Sequence, residues 1–249
     1  MTTSPVYDTI GRGYVAHRRP DPRWEAVVAA QIDARPGQRV VNVGAGAGSY
    51  EPSGCTVVAI EPSFVMVAQR PDGAGPVVRA SASALPLPSD CADVAMAILT
   101  VHHWDDAAAG LAELCRVAPR RIVLGIDFDL HARFWLLDEY LPEVAATTKP
   151  LGPDADAIAE AIGAAASIPL PVPRDMQDGV LGAYWCRPDA YLDPAVRATC
   201  SGLALADPAV ITRGVAALER DLASGAWQRR HADFEEVDTV DLGYRLLVA

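Results

Sequence analysis

Short apolar runs alternate with stretches of helical spacing over the first half of the chain. The runs lie at residues 39–43, 57–60, 77–79, 94–100 and 121–126. They are continuous rather than alternating, which is typical of strands buried on both faces of a parallel sheet. Between the last two runs, residues 105–117 place Ala108, Leu111, Leu114 and Cys115 on one side of a helix. This succession predicts an α/β fold with a Rossmann-like, doubly wound sheet.

The dipeptide Asp-Pro marks three further helix starts, at residues 21, 193 and 207. Aspartate caps free backbone amides and proline fits the first helical turn, so each pair predicts a helix. Residues 174–240 are mostly helical in pattern, and residues 241–249 resemble a strand. We therefore expect a single domain over 1–249, with an amino-terminal segment (1–35), a core (36–130), a helical cap (174–240) and an antiparallel final strand (241–249).

The charge balance and the lack of a long apolar stretch limit the possible partners. The chain has 21 Lys and Arg against 32 Asp and Glu, a net charge of −11, which argues against a nucleic-acid surface. The longest apolar run, residues 94–99, is far shorter than the roughly 20 residues that span a bilayer. No secretory signal is visible. We expect a cytoplasmic protein that binds a small molecule and neither nucleic acid nor membrane.

A glycine-rich turn follows the first predicted strand directly. Residues 40–48 read Val-Val-Asn-Val-Gly-Ala-Gly-Ala-Gly, with glycines at 44, 46 and 48. Glycine allows a tight turn and lets a ligand touch the backbone. The second strand ends at Glu61, whose carboxylate is placed to accept both hydroxyls of a ribose. Loop and acid together indicate a nucleoside-containing cofactor.

The spacing of the glycines narrows the choice of cofactor. Dinucleotide enzymes use Gly-x-Gly-x-x-Gly with a helix that receives the pyrophosphate, whereas this chain has Gly-x-Gly-x-Gly. Only eight residues separate Gly48 from Val57, too few for such a helix. The Gly-Lys-Ser or Gly-Lys-Thr of ATP-binding loops is absent. A cofactor without phosphates fits better, and a nucleotide-dependent oxidoreductase is the less favoured alternative.

Residues 5–130 resemble the class I S-adenosylmethionine-dependent methyltransferases that act on small molecules. The resemblance implies S-adenosylmethionine as the cofactor, with the glycine loop on its methionine part, the acid on its ribose and the loop after the third strand on its adenine. The matching positions are Gly44, Ala45, Gly46 and Gly48, then Glu61 and Pro62, then Ser81 and Ala82, and Leu99 at the end of the fourth strand.

Two positions depart from the family pattern. The family usually has acids where this chain has Asn42 and Ser81. A protein that binds the cofactor without transferring methyl is therefore a second alternative. The segment 7–20 resembles the family's cofactor-covering lid, and Tyr14 and Arg19 are its candidates for binding the cofactor's carboxylate. We expect this segment to fill the space that the short connection after Gly48 leaves.

The transfer itself requires alignment and, for some acceptors, a base. His102 and His103 lie where the fourth strand should end, and strand alternation predicts that only one of them faces the site. Asp127 and Asp129 are alternative bases. The candidates for acceptor binding are Trp104, Asp127, Trp135, Tyr184 and Trp185. No metal site is expected, since the His and Cys residues are not grouped with carboxylates. The apolar faces of the cap could pair two subunits as a homodimer.

Overall fold

A seven-stranded sheet runs through the computed structural model, which describes residues 5–148 and 152–249. The strands in chain order are β1 (Arg39–Val43), β2 (Thr56–Ile60), β3 (Val77–Val78), β4 (Val94–Ile98), β5 (Arg120–Ile126), β6 (Ala166–Pro169), β7 (Val172–Pro173), β8 (Thr239–Val240) and β9 (Tyr244–Val248). The order across the sheet is β3-β2-β1-β4-β5-β9-β6, and β7 pairs with β8 in a separate ribbon. The predicted fold class is confirmed.

The strand directions follow the expected pattern. Strands β3, β2, β1, β4 and β5 are parallel, with Val41 opposite Val58 on one side and Ala95 on the other. Strand β9 runs antiparallel to both β5 and β6, as expected for the final strand. The edge strand β6 was not predicted. It is short, mostly exposed and ends at Pro169, so it carries no apolar run.

The described residues form twelve α-helices. These are α1 (Tyr7–Ile10), α2 (Tyr14–His17), α3 (Pro22–Ile32), α4 (Phe64–Val67), α5 (Ala107–Val117), α6 (Phe128–His131), α7 (Pro142–Thr148), α8 (Ala155–Ile162), α9 (Pro194–Thr199), α10 (Ser201–Ala204), α11 (Pro208–Ala223) and α12 (Ala226–Arg230). The three Asp-Pro starts are confirmed, because each aspartate accepts a hydrogen bond from a backbone N–H two residues on.

Two apolar cores lie on opposite faces of the sheet. Alternate residues of β5 point to each side, so that Ile122 joins one core and Val123 the other. Trp24 of α3 lies in the first core, and Leu114 of α5 and Ile158 of α8 lie in the second. Both faces are covered, which explains the continuous apolar runs of the central strands.

The helical segment before β9 extends the first core. The ribbon of β7 and β8 brings residues 172–173 beside 239–240, so the intervening chain leaves and returns at one place. Helices α9 to α12 lie in this segment. Its Trp227 packs on Trp135 from outside the segment, with 5.3 Å between ring centroids. Within the described part of the chain, no helix has the length and apolar character needed to cross a membrane.

Candidate functional site

The glycine turn at the end of β1 is built around left-handed backbone. Gly44, Gly46 and Gly48 have φ values of 69°, 53° and 92°. Residues that carry a Cβ atom rarely adopt such values. The N–H groups of Gly44 and Ala45 both donate to the carbonyl of Ile60, at 2.9 and 3.0 Å. A Cβ on Gly44 would overlap the side chain of Thr100, which follows β4. The backbone of the turn therefore lies in direct contact with the end of β2 and with the residue that follows β4.

Glu61 joins the glycine turn to the end of β2. One carboxylate oxygen accepts the N–H of Gly46 at 2.8 Å and the other accepts the N–H of Ser63 at 2.8 Å. Burial raises the pKa of this carboxyl, and the two backbone donors oppose that shift. A carboxylate has about four lone-pair sites, so both oxygens can accept further donors. Glu61 is thus fixed in place and still able to bind hydroxyl groups.

Asn42, where the family pattern has an acid, contacts an acidic side chain from another position. Nδ2 of Asn42 donates to Glu51 at 3.0 Å, and Glu51 pairs with Arg70 at 2.8 Å. The same pair lies against Gly48, where Arg70 Nη1 would be 3.2 Å from an added Cβ. Glu51 and Arg70 therefore lie beside the shortened connection after Gly48.

A large chamber of about 1250 Å³ opens at the carboxyl edge of β1, β2 and β4. Nine of the predicted cofactor-binding residues line it: Tyr14, Gly44, Ala45, Gly46, Glu61, Pro62, Ser81, Ala82 and Leu99. Tyr7, Arg18, Tyr50 and His103 also contribute to its wall. Residues from five separate segments converge here, as in ligand sites of open α/β sheets.

The amino-terminal segment covers this chamber. Asp8 of α1 accepts a hydrogen bond from Ser63 at 2.6 Å, which holds α1 over the end of β2. Arg18 follows α2 and donates through Nε to Asp178 at 2.5 Å. Tyr50 also donates to Asp178, at 2.9 Å. These contacts tie the segment both to the glycine-loop region and to the stretch before α9.

A small chamber of about 80 Å³ adjoins the large one. The residues that line both chambers are Tyr7, Arg18, Leu99 and His103. The rest of its wall comes from His102, Ile126, Phe128, His131, Val180, Leu181, Cys200, Ser201, Gly202, Leu205 and Tyr244. Leu99 has a φ of 53°, a strained value for a leucine, and this ends β4 and turns the chain between the chambers.

Comparisons with known proteins agree with this geometry. Residues 41–121 match a family described as "Methyltransferase domain". A solved structure of a putative methyltransferase from an antibiotic biosynthesis pathway of Anabaena variabilis superimposes with a TM-score of 0.86 at 28% identity, covering 94% of this chain and 98% of that one. The chain carries a class I S-adenosylmethionine-dependent methyltransferase domain.

Two further proteins match a shorter part of the chain or share only its fold. A demethylmenaquinone methyltransferase of Corynebacterium kroppenstedtii is 28% identical over 121 residues, which are 45% of this chain. The match spans about half of that relative's length, 53%. The [4+2]-cyclase SpnF shares the fold alone, with a TM-score of 0.51 at 17% identity, covering 98% of this chain and 94% of that one. The cofactor of the methyltransferase is S-adenosylmethionine.

Two predicted cofactor residues lie outside the wall of the large chamber. Gly48 lies behind the turn, against Arg70. Arg19 is exposed, whereas its neighbour Arg18 lines the chamber. The adjacent arginines could not be told apart by sequence, because α2 ends at His17 and the backbone then becomes extended at Arg18. Tyr50 carried no signal in the sequence.

The histidine pair of the methyltransferase differs from the strand-based prediction. Residues 101–103 form a 3-10 turn instead of continuing β4, so His102 and His103 both line the small chamber. His103 lines the large chamber as well and His102 does not, so the expectation that only one of them faces the cofactor site stays a prediction. Burial, aided by Arg18, lowers the pKa of His103 to about 4. The pKa of His102 is lowered well below its usual value by burial and by His103.

Most of the predicted acceptor-binding residues lie outside both chambers. Trp104 lines the large chamber, not the small one. Asp127 caps α6 by accepting the N–H of Leu130 at 2.9 Å. Trp135 and Trp185 are buried, and Trp135 donates to the carbonyl of Trp185 at 2.8 Å. Tyr184 stacks under Arg187. These last four pack the structure and line neither chamber.

Proposed function

We propose that this methyltransferase transfers the methyl group of S-adenosylmethionine to an O, N or C atom of a small organic molecule held in the small chamber. The observation that carries the proposal is the junction of the two chambers at Tyr7, Arg18, Leu99 and His103. A cofactor in the large chamber and an acceptor in the small one would meet at this junction. Such alignment supplies much of the acceleration in a displacement reaction.

The residues of the large chamber fit S-adenosylmethionine. Glu61 would accept the ribose hydroxyls, since its oxygens lie at the chamber wall and are already oriented by two backbone donors. The bare backbone at Gly44 and Gly46 would lie along the methionine part. The cofactor supplies a methyl group activated on a sulfonium.

Arg18 is the candidate for the cofactor's carboxylate. Nε is held by Asp178, and the terminal guanidinium nitrogens have no hydrogen-bond partner among the described residues. The Arg18 guanidinium also lies over the ring of Tyr14, 5.0 Å from its centroid. A planar guanidinium with two open donors suits a carboxylate in the same chamber. Arg18 would hold the acid end of the cofactor while Asp178 fixes the arginine.

The names of the two relatives support a small-molecule acceptor. One is assigned to antibiotic biosynthesis and the other is named for demethylmenaquinone. The small chamber agrees with this class, because about 80 Å³ has room for a small chemical group. The expected cytoplasmic location, homodimer and absence of nucleic-acid partners stay predictions.

Calorimetric titration of the full chain with S-adenosylmethionine, S-adenosylhomocysteine and NAD tests the proposal. We expect both sulfur compounds to bind and NAD not to bind. Glu61→Ala should weaken S-adenosylhomocysteine by about tenfold or more, since a hydrogen bond to a charged group contributes about 1.5–3 kcal/mol. Glu113→Ala, a carboxylate outside both chambers, is the matched control. Binding of NAD alone would contradict the proposal.

Methylated product from a panel of small hydroxyl, amine and activated-carbon compounds is the second test. Mass spectrometry detects the added methyl group directly. Cofactor binding without any methylated product across a broad panel would favour a protein that binds the cofactor without transferring methyl.

A further inference from the structure

His131 is a buried histidine of the small chamber that sequence analysis did not single out. It is the last residue of α6 and is 5% exposed. Its Nδ1 lies 2.8 Å from the carbonyl oxygen of Leu242. Because a carbonyl oxygen only accepts, Nδ1 carries the hydrogen and Nε2 of the neutral ring carries a lone pair.

The second ring nitrogen of His131 is open to the chamber. Nε2 has no hydrogen-bond partner among the described residues, and it is not one of the polar atoms sealed away from open space. The ring forms part of the chamber wall. It is held in place by Tyr244, which it meets edge to face at 5.5 Å between centroids. Because the ring lines this chamber, the unpartnered lone pair of Nε2 is available to a group bound there.

The other two histidines of the chamber are less suited to accept a proton. The hydroxyl of Tyr7 lies 3.2 Å from Nε2 of His103, so that nitrogen is already engaged. No side-chain hydrogen bond among the described residues orients His102, and its pKa is lowered by burial and by the other two histidines. Burial also lowers the pKa of His131, but the Leu242 carbonyl and the charge of Asp127 oppose that shift.

The charges that line the small chamber limit which acceptor groups can bind there. No Asp or Glu is among its lining residues, and its one charged side chain is Arg18, already paired with Asp178. An ammonium group would enter without a counter-charge, which is unfavourable in a buried site. A hydroxyl group can donate to a neutral imidazole and release its proton to it.

We propose that His131 is the catalytic base of this methyltransferase and that the acceptor presents to it a hydroxyl of the phenol or enol kind. The proposal rests on the proposed function. In the step, the O–H bond breaks and its proton passes to Nε2 of His131. The oxygen forms a bond to the methyl carbon while the bond from that carbon to sulfur breaks and its electron pair stays on sulfur. The positive charge thereby passes from the sulfonium to the imidazole.

The chamber is small enough for one group to serve this role. His131 lines the same space of about 80 Å³ as Tyr7, Leu99 and His103, which also line the large chamber. Leu205, at 50% exposed, forms part of the rim, so the remainder of a larger acceptor can extend outward past it. The groups that would respond to a charge on His131 are Asp127, His102 and Tyr244.

Titration with 4-nitrophenol tests the proposal, since its phenolate absorbs visibly and its phenol does not. Protein saturated with S-adenosylhomocysteine should bind it as the phenolate, with the proton on His131. His131→Asn keeps an N–H for the Leu242 carbonyl and removes Nε2. We expect this variant to bind at least about tenfold more weakly and to lose the phenolate band.

Three further measurements make the test decisive. His17→Asn, outside both chambers, is the matched control and should retain the band. Benzyl alcohol should displace the probe at lower concentration than the ammonium form of benzylamine. If His131→Asn does not fold, the imidazole carbon resonances of the labelled wild-type protein should show His131 becoming charged when the probe binds.

The outcomes separate the two proposals. A phenolate band that survives His131→Asn, a stronger displacement by benzylamine, or no binding of 4-nitrophenol would each overturn this inference. The titration is repeated without S-adenosylhomocysteine. Failure of S-adenosylhomocysteine to bind contradicts the proposed function instead. In that case the phenolate band and the displacement series, both measured without S-adenosylhomocysteine, still test the role of His131.

Discussion

The contact between Arg18 and Asp178 joins three parts of the molecule and predicts a large effect of one substitution. Asp178 is 2% exposed and accepts from Arg18 at 2.5 Å and from Tyr50 at 2.9 Å. Asp178→Asn keeps the size of the side chain and removes its charge. The Arg18 guanidinium, only 12% exposed, is then left without a counter-charge.

The expected cost follows from the burial of the pair. Removing one partner of a buried ion pair costs about 3–5 kcal/mol, because the other charge stays buried. Arg18 opens onto the chambers, where water can reach it, so we expect about 2–4 kcal/mol for this pair. The double variant Arg18→Met/Asp178→Asn removes both charges. It should be more stable than the sum of the single variants predicts, by about 1–3 kcal/mol.

Urea unfolding followed by circular dichroism measures these free energies. Asp175→Asn is the matched control in the same stretch, since Asp175 is 74% exposed and pairs with Arg23 at the surface. It should change stability by less than about 1 kcal/mol. Asp178→Asn should also weaken S-adenosylhomocysteine, because Arg18 loses its orientation. If Asp178→Asn matched the surface control, or if the double variant showed no coupling, the reasoning would be refuted.

Three other predictions concern the two chambers. Gly44→Ala should abolish binding of S-adenosylhomocysteine in calorimetry, because its Cβ would overlap Thr100, whereas Gly54→Ala, also at positive φ but in open space, should bind normally. Burial lowers the pKa of His103 to about 4, so between pH 6.5 and 4 this histidine is protonated in the unfolded chain but not in the folded one. The free energy of unfolding should therefore fall as the pH drops from about 6.5 towards 4. His103→Gln should flatten that fall in unfolding curves recorded at several pH values, and an equally steep curve would contradict it. Trp104 lines the large chamber, so its fluorescence should change when S-adenosylhomocysteine binds, and Trp104→Phe should remove that component of the signal.

The parts of the fold that were predicted depend on local patterns. Strands β1, β4 and β5 are buried on both faces, so their positions appear as unbroken apolar runs. The glycine turn and Glu61 were also predictable, because each directly follows such a strand and the carboxyl ends of parallel strands meet at one edge. The position of these residues is set by the strand that directly precedes them. A short stretch of sequence is therefore enough to predict where they lie.

The choice between neighbouring residues required the tertiary structure. Arg18 and Arg19 have the same chemistry, and only Asp178, 160 positions away from Arg18, decides which of them turns inward. The strand geometry expected at His102 and His103 is absent, because a positive φ at Leu99 ends β4 early and a 3-10 turn over residues 101–103 follows. No sequence pattern near the two arginines indicates Asp178, and none near the two histidines indicates the 3-10 turn.

The proposed acceptor site shows the same limit most clearly. Aromatic residues were expected to form it, yet Trp135 and Trp185 are large apolar side chains whose burial stabilises the core, and they pack against the helical segment. The chamber is instead walled by residues at the ends of elements, such as His131 at the end of α6 and Ser201 at the start of α10. Residues at element ends share no periodicity, since each belongs to a different helix or strand. A site assembled from them becomes visible only when the topology brings those ends to one edge of the sheet.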